Sequence, residues 1–343
     1  MKKKYANILF IALFSVFMSC ISNTPPPNTE QPANPWGMNW VLYAEKGIRE
    51  IDGRMTAGRI SNMVEINGNS ILAASPFSGI WFVASSLTTN VSHEWENPGM
   101  TCVVKGYGSK YFFAGGYRSD FYDSAALYVT DTSTQTPVFS RWHPVLLAGI
   151  GRINNMLYDQ NRNMLFLATV NGIWYSPIPP GVGGAGYSFK KAIMSAGSGT
   201  SFQNIISTTN NMIVVSQRMY GISGTNSGVY YATYSPAETD ISFINSPLYG
   251  VNPAQISTVF LAKCSSLSNI VYAFASNNDY IHAEGLYMST NGGMSFNRAT
   301  QPDSRVADTT WSQYPFWRQI RDLEFIGTIS VHNSNPGIVV ISV

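Results

Sequence analysis

The residues able to do chemistry in this chain are few and fall into four polar, ring-rich stretches. In 343 residues there are 21 Lys and Arg, 19 Asp and Glu, 4 His and 3 Cys. The first stretch is Tyr117-Arg-Ser-Asp-Phe-Tyr-Asp123 and the second Arg218-Met-Tyr-Gly-Ile-Ser-Gly-Thr-Asn226. The third is Asn277-Asn-Asp-Tyr-Ile-His282 and the fourth Asp308-Thr-Thr-Trp-Ser-Gln-Tyr-Pro-Phe-Trp-Arg318. Arg118, Arg218 and Arg318 are forked cations of the kind that grip a carboxylate or phosphate through two parallel bonds. Asp120, Asp123, Asp279 and Asp308 are the candidate acids and bases. Glycoside hydrolysis needs two carboxylates at a set separation across one pocket. Nothing in the spacing selects such a pair, and a loop carboxylate is ordinarily just solvated.

The rings in the same stretches point to binding. Tyr117, Tyr122, Tyr220, Tyr280, Trp311, Tyr314 and Trp317 are the side chains that stack on sugars or anchor a protein partner. A solvated loop has no folding reason to gather Trp311, Tyr314, Phe316 and Trp317 within seven positions. The alternative is that these rings pack on one another as a small loop core, and the sequence leaves both readings open. His93, His143, His282 and His332 lack metal-ligand spacing. No phosphate loop, serine elbow or Cys-His arrangement is present. The sequence therefore calls for no cofactor and no metal.

Such stretches need a scaffold, and the chain supplies one by repetition. Gly79-Ile-Trp-Phe-Val83, Ala126-Leu-Tyr-Val-Thr130, Gly172-Ile-Trp-Tyr-Ser176, Gly228-Val-Tyr-Tyr-Ala232 and Gly285-Leu-Tyr-Met-Ser289 superpose. Each is a small residue, an aliphatic, then an aromatic position. By subtraction the starts lie 47, 46, 56 and 57 residues apart, a period typical of propeller blades or solenoid repeats. Upstream of each anchor runs an alternating or apolar segment: 70–74, 110–114, 164–170, 212–216 and 270–275. Before those lie further runs such as 100–106, 205–209 and 257–263. Downstream an aromatic recurs at Trp95, Trp142, Phe189, Phe243 and Phe296. Each unit thus offers four short strands. No 3.6-residue period persists beyond the first twenty residues, so the expected class is all-β. A four-stranded blade cannot bury both its faces alone, whereas blades stacked in a ring can.

Ser289-x-Asn291-x-Gly293-x-x-Phe296 resembles the Asp box, or BNR repeat, of sialidase-like and sortilin-like β-propellers. Asn291 stands where that family usually has Asp, and Phe296 where it usually has Trp. The resemblance extends over the architecture of roughly 40–343 and implies one β-propeller. Six blades are expected, with seven as the alternative. The ring would close by a blade shared between strands at 40–45 and 47–51 and strands at 325–331 and 338–343. Asn333-Ser-Asn-Pro336 resembles the turn that precedes the second strand in many such blades. In these propellers the Asp-box turn joins the third and fourth strands, on the face away from the usual binding site. Ser289, Asn291, Gly293 and Phe296 are accordingly expected to be structural. The four ring-rich stretches fall on the opposite face, as second-to-third strand loops or blade crossings. The sialidase arginine triad is echoed by Arg118, Arg218 and Arg318. However, Arg59-Ile60-Ser61 lacks the expected Pro, and none of Glu238, Glu284 or Glu324 falls beside a suitable Tyr.

The start of the chain carries a different signal. Met1-Lys-Lys-Lys4 precedes an apolar run over 8–18 that is too short to span a bilayer. Phe17-Met-Ser-Cys20 resembles the bacterial lipobox, with Phe17 in place of the usual Leu. The implied mature chain starts at lipid-bearing Cys20, which would be its membrane contact. Residues 1–19 are read as the signal, 20–36 as a Pro-rich tether and 37–343 as the propeller. Ile21 does not resemble the Asp that retains some lipoproteins at the inner membrane, so the outer membrane is expected. Loss of Lys2, Lys3 and Lys4 takes the net charge from +2 to 2 − 3 = −1, which implies no nucleic-acid partner. Cys102 and Cys264 fall in distant repeats and are expected as buried thiols. The expected function is a membrane-anchored, non-catalytic propeller that binds a glycan or an envelope protein. The alternatives are a sialidase-like glycoside hydrolase and an assembly factor within an envelope complex.

Overall fold

A computed structural model describes the chain from residue 49 to residue 342. Outside the description lie 1–48, 91–97, 132–141, 196–200, 218–227, 235–239, 278–282, 300–327 and shorter gaps of four residues or fewer. The described residues contain strands and turns and no helix. A short antiparallel pair, β1 (Arg49–Ile51) and β2 (Arg54–Thr56), comes first. The first full sheet is β3 (Asn62–Asn67), β4 (Ser70–Ser75), β5 (Gly79–Ala84) and β6 (Leu87–Asn90). The second is β7 (Pro98–Lys105), β8 (Tyr111–Arg118), β9 (Phe121–Asp131) and β10 (His143–Pro144). The third is β11 (Ile153–Asp159), β12 (Met164–Thr169), β13 (Gly172–Pro177) and β14 (Lys190–Lys191). After the linker strand β15 (Ile193–Met194), the fourth is β16 (Phe202–Ser207), β17 (Met212–Gln217), β18 (Val229–Thr233) and β19 (Ser242–Asn245). The fifth is β20 (Ile256–Lys263), β21 (Val271–Asn277), β22 (Ala283–Ser289) and β23 (Asn297–Arg298). A last hairpin, β24 (Thr328–Val331) and β25 (Val339–Ser342), follows. In every full sheet the hydrogen-bonded order is chain order, an antiparallel meander.

The repeated anchor found in the sequence lies within two residues of the start of the third strand in four of the five full sheets. Gly79, Gly172, Gly228 and Gly285 have φ of 82°, 142°, 76° and 140°, a region glycine enters without a Cβ clash. Ala126 breaks the pattern because β9 begins five residues earlier, so its position is mid-strand and needs no positive φ.

Strand alternation explains the core. Cys102, Phe113 and Leu127 on one face of the second sheet pack on Ile153, Met156 and Leu165 of the third. Their neighbours Val103, Phe112 and Ala126 point the other way, onto Leu72, Ile80 and Phe82 of the first. The third and fourth sheets meet through Phe166, Ile173, Phe202 and Tyr230, and the fourth and fifth through Val214, Val229, Val259 and Tyr287. The fifth sheet meets the last hairpin through Phe260, Tyr272, Phe274 and Ile329. One apolar layer fills each junction, and each buried Leu, Ile or Phe contributes about 1.5–3 kcal/mol. The first strands β3, β7, β11, β16, β20 and β24 are neighbours in that order. Sheets stacked face to face about their first strands form a β-propeller.

Two linkers cover sheet edges, which would otherwise present unpaired backbone. β15 runs parallel to β19, pairing Ile193 with Ser242 and Met194 with Phe243. Leu248 bridges Phe296 in the same parallel sense one sheet later. The strands expected at 325–331 and 338–343 are β24 and β25, joined through the turn at 332–337. Of the strands expected near the start, β1 matches the end of 47–51, while 40–45 lies outside the described residues. Cys102 and Cys264 are buried free thiols.

Candidate functional site

In each meander the first strand starts, and the second-to-third turn lies, on one face of the propeller. That face is built on a recurring irregularity. β7, β11, β16 and β20 each carry a register shift at the level of the anchor, with Thr101, Asn154, Gln203 and Ser257 as the extra residue. All four are polar and follow a buried apolar residue: Met100, Ile153, Phe202 and Ile256. In the first sheet Ser61, just before β3, takes the corresponding place without a register shift there. Such bulges redirect side chains, and at Thr101 and Asn154 they direct them across the blade junctions. Ser61 Oγ donates to the Thr101 carbonyl at 2.6 Å, and Thr101 Oγ1 to the Ile153 carbonyl at 2.5 Å. Asn154 Nδ2 donates to the Phe202 carbonyl at 2.7 Å and is steadied by Arg152 Nε on its Oδ1 at 3.2 Å. One residue further along their strands, Asn62 Oδ1 accepts from Val103 N and Asn204 Oδ1 from Leu261 N. The result is a belt of side-chain to backbone bonds that ties first strand to first strand.

On this belt stands the longest hairpin of the described residues. The sequence places 117–123 in a loop, and here the structure corrects it. β9 is 11 residues long, and β8 and β9 pair to Tyr117 opposite Ala125 and again, past a bulge at 122–124, at Arg118 opposite Phe121. Tyr117, Arg118 and Tyr122 are thus strand residues. Tyr117 is buried, with its ring over Gly99 and its hydroxyl donating to the Pro76 carbonyl of the first sheet at 3.0 Å. It anchors the hairpin and is not an open contact ring. Of the other expected face residues, Asp120, Arg218, Tyr220, Asp279, Tyr280, Trp311, Tyr314, Trp317 and Arg318 lie outside the described residues. So do Asp308 and Cys20.

The turn at 289–296 lies on the opposite face, as expected from the strand order. Ser289 Oγ, buried, accepts Gly293 N–H at 2.8 Å and Asn291 N–H at 3.3 Å and donates to Asn291 Oδ1 at 2.7 Å. Asn291 Oδ1 also accepts Ser295 N–H at 3.1 Å, and Asn291 Nδ2 donates to Ser295 Oγ at 2.9 Å. Gly292 and Gly293 sit at φ of 77° and 102°. The turn reaches the preceding sheet, where Thr208 Oγ1 donates to the Gly292 carbonyl at 2.7 Å and Ser246 Oγ to that of Gly293 at 2.5 Å. Phe296 is fully buried.

The junction one blade earlier uses charge at the corresponding place, a feature missed in the sequence. Asp159 and Arg162, in the β11–β12 turn, form an ion pair at 2.6 Å with side chains 9% and 6% exposed. The Tyr234 hydroxyl donates to Asp159, and Arg162 donates to Asn211 Oδ1 and, at 3.2 Å, to the Tyr234 carbonyl. The guanidinium lies 4.1 Å from the Tyr234 ring centroid. Burial, then the bond to Asp159, raises the Tyr234 phenol. Burial pushes the Cys102 thiol up to about 12 and lowers Lys263. Both oxygens of Asp159 are engaged, by Asn161 N–H on one and by Arg162 and Tyr234 on the other. This carboxylate braces a junction. Among the described residues no three His, Cys, Asp or Glu side chains gather to hold a metal, and no helix could cross a membrane.

No protein-family model and no curated protein matches the sequence. Solved structures do resemble the fold. One is the GH74 enzyme of Niastella koreensis, 13% identical, with a TM-score of 0.44 over 83% of this chain and 51% of that one. Another is YCF48 bound to a D1 peptide, 13% identical, with a TM-score of 0.45 over 74% and 70% of the two chains. A third is the β-propeller domain of Myceliophteria thermophila Cps50 (Swd1), 12% identical, with a TM-score of 0.47 over 82% and 79%. This chain spans about half the length of the GH74 enzyme. Likenesses this distant say nothing about activity, and the propeller is established by the stacked sheets themselves.

Proposed function

We propose that this chain is a lipid-anchored envelope protein whose propeller binds a glycan or a protein partner without catalysis. The observation that carries the reading is the β8–β9 hairpin. It extends the second sheet on the belt face and is pinned by Tyr117 to Pro76. It keeps Arg118 paired with Phe121 at its end and carries Tyr122 in the unpaired bulge beside them. Pre-ordering lowers the entropy lost on binding. Arg218, Arg318, Trp311 and Trp317 lie outside the described residues and enter this reading as the sequence's candidates for the same face. Lipid on Cys20 would hold the ring at the outer membrane through the Pro-rich 20–36 segment. In this reading the turn at 289–296 is an Asp box serving as a blade latch. The ring closes as six blades, with the first strands of the propeller completing the sheet begun by β24 and β25.

The test uses the full chain in detergent on a glycan array and against envelope extracts, beside a fluorogenic glycoside panel. Capture that fails in Arg118→Ala/Tyr122→Ala while the unfolding midpoint holds supports the reading. Capture untouched by that change removes it. Turnover of a glycoside would move the chain to the hydrolase alternative.

A further inference from the structure

The last hairpin is held to the fifth sheet through the turn at 332–337 as well as through its apolar face. Ser266 N–H donates to the Asn333 carbonyl at 2.9 Å, and Ser265 Oγ to Asn333 Oδ1 at 3.2 Å. The Tyr272 hydroxyl donates to the Pro336 carbonyl at 2.8 Å. The Cys264 thiol faces the carbonyls of His332 and Asn333 at 3.4 and 3.3 Å. All of these contacts require one shape of the turn.

From inside the turn an imidazole gathers its backbone N–H groups. His332 Nδ1 accepts Asn335 N–H at 3.1 Å and Ser334 N–H at 3.3 Å, with Ser334 Oγ at 3.4 Å. Asn335 Oδ1 then accepts Gly337 N–H at 3.0 Å and completes the turn. Two backbone donors on Nδ1 require a lone pair there, so the ring proton sits on Nε2. An imidazolium has a proton on both nitrogens and accepts nothing. Its Nδ1–H would face two N–H groups.

We propose that His332 makes this turn an acid-sensitive clasp, whose protonation loosens the last hairpin from the fifth sheet. Histidine is the side chain that ordinarily changes charge between pH 5 and 8. The titratable groups on the elements packed against the turn are Cys264 and Tyr272, which act as donors to its carbonyls, and Lys263. Lys263 directs Nζ to Ser207 Oγ, toward the fourth sheet. Among the described residues no carboxylate is bonded to the turn, and the Ser334 hydroxyl, 3.4 Å away, is the acceptor left for an Nδ1–H, so protonation would trade two backbone bonds for at most one. The consequence is a seam at one end of the blade series that opens as the surroundings acidify.

The experiment is amide hydrogen exchange of the full chain between pH 8 and pH 5, corrected for the intrinsic pH dependence of exchange. Protection of 328–342 should fall about fivefold or more on acidification, the factor that about 1 kcal/mol of lost bonding gives. Protection of 202–217 in the fourth sheet should hold. His332→Asn keeps an acceptor that does not titrate and should show no fall. A pH-independent wild type, or an equal fall in His332→Asn, overturns the proposal. Nitrogen chemical shifts of the wild-type ring give a check that needs no variant. A neutral ring protonated on Nε2 supports the clasp, and one protonated on Nδ1 refutes it.

Discussion

Gly293→Ala is the sharpest test of how the blades are joined. Gly293 has a φ of 102°, and a Cβ there would lie 2.4 Å from Val214 Cγ2 in the preceding sheet. The backbone term for a side chain in this region is about 1–2 kcal/mol. Forcing a methyl into a packed site adds about 1–3 kcal/mol, so the substitution should destabilise by about 2–5 kcal/mol. Gly250→Ala is the control, because Gly250 has a φ of 83° with nothing within 4 Å of its virtual Cβ. It should show only the backbone term, about 1–2 kcal/mol. Val214→Ala removes the opposing methyls, and in that background Gly293→Ala should lose part of its effect. The coupling should be about 1–3 kcal/mol, typical of residues in direct contact. Urea unfolding followed by tryptophan fluorescence gives all four values, provided the slope with denaturant stays constant. If Gly293→Ala is no worse than Gly250→Ala, or if the cycle is additive, the turn at 289–296 is not a close-packed latch.

The other predictions concern buried polar groups. Arg162→Met leaves Asp159 buried beside Tyr234 without its cation and should destabilise by about 3–5 kcal/mol, whereas Arg162→Met with Asp159→Leu should recover most of that by calorimetry. Cys102 is fully buried and its thiol is pushed from 9.0 up to about 12. Below pH 9 both folded and unfolded states keep the proton and nothing is lost. Between pH 9 and about 12 only the unfolded thiol ionises, so stability falls by up to about 4 kcal/mol across that window. Unfolding of the wild type and of Cys102→Ala from pH 8 to 11 should diverge accordingly, and parallel curves would contradict the assignment.

The strands were legible because their cause is local. A continuous apolar run over 164–170 or 212–216 needs only neighbours in sequence, and the Gly-aliphatic-aromatic anchor marks a backbone demand at the third strand of four of the five full sheets. The turn at 289–296 was legible for the same reason, since Ser289, Asn291 and Ser295 satisfy one another within seven residues. The belt was not. Thr101 and Ile153 are 52 positions apart, and Asn154 and Phe202 are 48 apart. Only the stacking of blades brings each polar side chain to the next carbonyl. The repeated polar residue after Met100, Ile153, Phe202 and Ile256 was the available signal. The Asp159, Arg162 and Tyr234 cluster spans 75 positions and has no counterpart in the other repeats from which to read it. Tyr117 was misplaced because Arg118, Ser119 and Asp120 read as loop residues, while strand pairing continues to Phe121.

The central functional claim is that the belt face captures a ligand. It is tested most directly by binding of the full chain, in detergent, to a glycan array and to envelope extract, compared with Trp311→Ala/Trp317→Ala at matched unfolding midpoint. The account predicts saturable capture by the wild type and its loss in the double variant with stability unchanged. Equal capture by the two proteins would contradict it.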